Sequence, residues 1–203
     1  NSPVPVVITS SDTLRLKSPD RTADRIHSLG DNAEAEFLKA LYDISSKQFN
    51  SAMIHYGNAV DNSAGGKYEE LYKAFYYMNR AVLRADMIEF ISSIENNVQT
   101  LTMDDQGTTR ARVKDQVSMG YDYSDAVADM RTAAGIVGDI PYIHFNLGNL
   151  LCLSSSFVEA IDSYSKAISL YPYMGDAYFN RGLVLIYLKD KEKGCIDLSH
   201  AGE

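Results

Sequence analysis

Apolar residues recur every three or four positions from about Asn32 to Ala201, the spacing of a buried helical face. The start of the chain is patterned differently. Val4, Val6 and Ile8 alternate, and after Ser10-Ser11-Asp12 so do Leu14 and Leu16, which suits two short extended pieces around a turn. Such a pair is marginal without a partner. Residues 1–31 are therefore expected to form an extended strap or linker, and residues 32–203 a helical array. Three of the 5 prolines (Pro3, Pro5, Pro19) fall in that first segment.

The helical part carries a period of 34. Gly148 and Gly182 stand 34 apart, each after a Phe-Asn pair (Phe145-Asn146, Phe179-Asn180). Ala126, Ala160 and Gly194 keep the same spacing, as do Ala133, Ala167 and Ala201, and Met130, Tyr164 and Leu198. A period of this length marks stacked supersecondary units. Two helices approach closely only where a side chain is small, and the glycine and alanine columns supply that on both helices of a unit. Leu147, Leu151, Phe157 and Tyr164 are the expected filling. Pro141 is placed to open a helix, Ser156 with Glu159 to cap the next, and Pro172 to end it.

In residues 141–174 the series His144, Leu147, Gly148, Leu151, Phe157, Ala160, Tyr164, Ala167 and Pro172 resembles the tetratricopeptide repeat. Residues 175–203 repeat it with Tyr178, Gly182, Leu185, Gly194, Leu198 and Ala201. Residues 107–140 keep Tyr123, Ala126, Met130 and Ala133, with Lys114 in place of the first-helix glycine. Upstream, 33–66 offers Ala40, Phe49, Ala52, Tyr56 and Ala59. Residues 74–106 offer Tyr77, Ala81, Phe90 and Ser93, and Asn79-Arg80-Ala81 echoes Asn180-Arg181-Gly182. The resemblance implies an all-α, right-handed superhelical solenoid of five antiparallel helix pairs, the last lacking its cap. The run from Gly194 to Glu203 is similar to the closing unit of large bacterial proteins of this family. The chain, which opens on Asn1, is accordingly expected to be an excised C-terminal segment from an extracytoplasmic, envelope-associated setting.

Composition narrows the chemistry. Nineteen Lys and Arg against 27 Asp and Glu give a net charge of −8, which argues against nucleic acid as a partner. No apolar run approaches a membrane span; the longest, Leu183 to Leu188, is under two helix turns. Gly65-Gly66-Lys67 fails as a phosphate loop, because Asp61 occupies the required first glycine and Tyr68 the magnesium-binding Ser or Thr. The four histidines have no metal-site spacing. His144 and Cys152 lie about 12 Å apart along one helix, too far to pair. Cys152 and Cys195 read as small packing residues, and Glu69-Glu70 and Asp104-Asp105 as solvated surface. No enzyme, cofactor or metal is expected.

The resemblance instead implies a concave face, lined by first-helix side chains, that holds a peptide or helix of a partner protein. Transferred by position, the groove candidates are Asn79, Arg112, Tyr142, Phe145, Asn146, Asn149, Phe179 and Asn180, with Met78, Asp115, Asp176 and Leu183 beside them. Asn amides can pair with a peptide backbone and the aromatic rings offer flat apolar contact. Phe145 and Phe179 stand where a carboxylate-clamping cation would be needed, so a neutral or basic segment is the expected partner. Self-association through the uncapped last unit, a spacer role within a larger envelope protein, and a helical enzyme using the N-terminal segment are the alternatives.

Overall fold

A computed structural model describes residues 19–63, 67–97, 100–103, 109–112 and 121–202. Small residues decide how its helices pair. Ala40 on α2 (Ala33–Ser45) faces α3 (Phe49–Asp61) with Ala52. Gly148 on α6 (Pro141–Leu153) lies against α7 (Phe157–Leu170), where an added Cβ would sit 2.5 Å from the Tyr164 ring. Gly182 on α8 (Gly175–Tyr187) meets α9 (Lys191–Ala201), and a Cβ there would come within 2.9 Å of the Gly194 carbonyl oxygen. These are three antiparallel pairs stacked in chain order.

The fourth pair departs from the expected division. A single long helix, α4 (Lys67–Asn97), packs along α5 (Ser124–Ile136), and its Ala81 shares a core with Ala126, Met130 and Ala133. The segments read as units 74–106 and 107–140 are thus the two halves of one pair, so the described helices make four pairs where the repeat spacing gave five. Between the halves lies β1 (Thr100–Met103), antiparallel to β2 (Thr109–Arg112) with Thr100 opposite Arg112 and Met103 opposite Thr109. The strand at 109–112 stands where the third unit's first helix was expected. Pro19–Leu29 is helical (α1) and packs on α2, whereas the alternation in residues 1–31 suggested an extended strap. Residues 1–18 lie outside the described residues, as do Ala64 to Gly66 of the rejected phosphate loop.

Turn chemistry explains the long helix. In the three regular pairs the first helix ends on a left-handed residue seven positions after its small residue: Lys47 (φ 59°), Ser155 (φ 60°) and Lys189 (φ 72°). The next amide then bonds back to the carbonyl five residues earlier (Gln48 to Asp43, 2.8 Å; Ser156 to Leu151, 2.7 Å; Asp190 to Leu185, 2.9 Å). This is the Schellman closure. The matching position on α4 is Ile88, and a β-branched side chain tolerates left-handed backbone worst. No turn forms there, and the helix runs on to Asn97.

Buried polar links join the two helices of a pair. Arg80 on α4 grips Asp129 on α5 through two hydrogen bonds of 2.8 and 2.7 Å. Arg181 on α8 grips Asp197 on α9 in the same way, at 2.6 and 2.7 Å, and also bonds Ser165. In the first pair Glu36 receives Lys39, His55 and Asn58. Burial would raise its carboxyl, but these donors outweigh it and hold the group at about 2. The expected box at Ser156 is not made, although Ser156 does precede α7. Glu159 reaches across to Arg131 on α5 instead. Pro141 opens α6, as expected.

Candidate functional site

The groove candidates on α6 and α8 converge on one polar contact. Asn149 Oδ1 accepts from the Tyr164 hydroxyl at 2.8 Å and from Asn180 Nδ2 at 2.9 Å, so one carbonyl ties α6 to both α7 and α8. Asn146, one turn earlier on α6, is 5% exposed and its Nδ2 has no hydrogen-bond partner. On α8, Phe179 (48% exposed) and Leu183 (46%) lie one turn apart on the same side, leaving apolar surface in water beside Asn180.

Other candidates are committed to packing. Tyr142 and Phe145 cover the cluster of Ala167, Ile168, Met174 and Ala177, and the Phe145 ring sits 6.0 Å from that of Tyr164. Asn79 is buried on α4 and donates to the Phe75 carbonyl of its own helix at 2.7 Å. Its neighbour Met78 is buried as well. Arg112 closes strand β2 and belongs to no first helix, so the lone cation expected among the helix-borne candidates is not placed with them. Asp115 lies outside the described residues.

Burial pushes the Cys152 thiol up despite the Tyr164 hydroxyl beside it at 3.5 Å, which opposes thiolate formation. His144 bonds the Gly138 carbonyl at 2.9 Å and not Cys152. Cys152 and Cys195 are free thiols. Among the described residues no group of three or more His, Cys, Asp or Glu could hold a metal, and no helix is long and apolar enough to cross a membrane.

Sequence spacing missed the Arg80–Asp129 pairing. Its signal was available: Arg181 and Asp197 stand 16 apart, and the same Asn-Arg-small triplet at Asn79-Arg80-Ala81 asks for an acidic partner on a following helix. That partner is 49 positions away.

No protein-family model matches the chain, and no curated protein matches it by sequence. Its backbone is similar to solved structures of MamA, a tetratricopeptide-repeat protein. One MamA crystal structure is 13% identical, with a TM-score of 0.60 over 89% of this chain and 82% of that one. A double mutant of MamA RS-1 gives 0.62 at 9% identity, over 95% and 88%. MamA from Desulfovibrio magneticus RS-1, residue 41 to the end, gives 0.59 at 10%, over 95% and 88%. With its paired helices and small-residue columns, the chain has an all-α helical-repeat solenoid fold like that of tetratricopeptide-repeat proteins.

Proposed function

We propose that this protein is a non-enzymatic scaffold that holds a peptide or helix of a partner protein against the face shared by α6 and α8. The observation that carries this reading is the half-exposed pair Phe179 and Leu183 beside the Asn149–Asn180 contact. Apolar area left in water next to amides is the composition of a binding surface centre, where side chains anchor and amides fix the register of a backbone. The net charge of −8 favours a neutral or basic segment.

Asn149 is a poor probe, because removing it strips the buried Tyr164 hydroxyl of its acceptor and disturbs the fold. Phe179→Ser with Leu183→Ser is cleaner. Peptides selected on the wild-type protein should bind this double variant about tenfold or more weakly, with the melting temperature kept within a few degrees. Undiminished binding, or a library that yields no binder, would overturn the proposal; a scaffold that only spaces other parts gives the second result.

A further inference from the structure

A cavity of about 340 Å³ opens where the N-terminal ends of α2 and α4 meet the C-terminal end of α3. Glu34, Glu69, Tyr72 and Tyr76 line it, together with Asn32, Asn62 and Ser63. Asn32 and Ser63 are already used. Asn32 accepts from the Ala35 amide at 2.8 Å and donates to the Leu29 carbonyl at 3.0 Å, and Ser63 donates to the Val60 carbonyl at 2.7 Å. Tyr76 differs. It is 5% exposed, its ring is fixed among Ala59, Val60 and Phe37 (ring centroids 5.0 Å apart), and no described group bonds its hydroxyl. Tyr76 lines the same cavity as Glu34 and Glu69, and burial, then the charges of Glu34, Tyr72 and Glu69, push its phenol up to about 12.

The donor and acceptor inventory selects the ligand. Two carboxylates accept only, two phenols offer a lone pair and a ring face each, and the Asn62 amide can turn its oxygen to a cation. Two helix N-termini oppose a cation with about half a charge each, and the C-terminus of α3 cancels one of them. Over the lining groups the balance stays negative even with Arg25 counted, whose guanidinium meets Glu34 at 3.1 Å at exposed side chains. Arg25 shows what the site attracts. Glu69 has no cationic partner among the described residues. We propose that this cavity binds a guanidinium or primary ammonium group, carried by a small amine or by a basic side chain of another protein. The inference rests on this cavity alone and is independent of the α6–α8 surface.

The test is a calorimetric titration of the full chain at low salt with three probes: agmatine, the peptide acetyl-Gly-Gly-Arg-Gly-Gly-amide, and the neutral N-butylurea. A dissociation constant of about 1 mM is expected for a cation and none for the urea. Glu69→Gln should weaken binding about fivefold, and Tyr76→Phe about tenfold with the ring packing retained. Arg25→Gln should tighten it by removing the resident competitor, a gain that a purely structural role would not give. Agmatine binding without the peptide identifies a small amine; peptide binding as tight or tighter identifies a partner's side chain. The proposal is overturned if neither cation binds at about twenty times that concentration, if N-butylurea binds equally, or if both Glu69→Gln and Tyr76→Phe leave the affinity unchanged.

Discussion

Tyr56 and Tyr164 occupy the same place in two helix pairs, four residues after Ala52 and Ala160, and both are fully buried. Their hydroxyls fare differently. Tyr164 donates to Asn149, whereas Leu41 stands at the position of Asn149 in the first pair and the Tyr56 hydroxyl has no partner. Burial raises both phenols, so each stays protonated and needs an acceptor. An unmade buried hydrogen bond is costly, while deleting both partners is nearly neutral. Tyr56→Phe should therefore leave stability unchanged or raise it, and Tyr164→Phe should lower it by about 1 kcal/mol; urea unfolding of the two variants compares them directly. Equal losses would contradict the assignment. The tyrosine column is visible in the sequence. That one hydroxyl is stranded is not, because the acceptor comes from the preceding helix, where Asn149 also receives Asn180 of α8.

Three turns share one geometry at the level of helix pairs, and each puts a non-glycine residue in left-handed backbone: Lys47, Ser155 and Lys189. That conformation costs an L-residue about 1–2 kcal/mol, partly offset by the freedom glycine loses on folding. Each of Lys47→Gly, Ser155→Gly and Lys189→Gly should raise stability by about 0.5–1 kcal/mol, and the gains should add because the turns belong to separate pairs. Thermal melts of the single and triple variants give the answer, and a loss at any one site would show that its turn is not the closure described. The capping box at Ser156 failed for a reason belonging to this scale. Glu159 has a competing cation in Arg131 on the neighbouring helix, and local spacing cannot see across helices.

The insertion between α4 and α5 dominates at the scale of the molecule. Arg80 and Asp129 lie 49 positions apart where Arg181 and Asp197 need only 16, so 33 residues separate the fourth pair from regularity. A chain lacking residues 89–121, with Ile88→Gly to permit the missing turn, should keep its helix pairs and a single cooperative melt in far-ultraviolet circular dichroism. Loss of cooperativity would mean that the insertion belongs to the core. By itself the sequence determined the all-α repeat character, the small residues at helix crossings and the absence of familiar catalytic spacing, because these follow from periodicity and residue type along a few helix turns. Only the tertiary structure decided that α5 completes α4, that Asn79 turns to its own helix, that Asn149 is spent on Tyr164 and Asn180, and that Tyr76 opens into an acidic cavity. Those outcomes depend on which groups meet across helices distant in sequence, where burial makes each unpaired charge or hydroxyl costly enough to select the pairing.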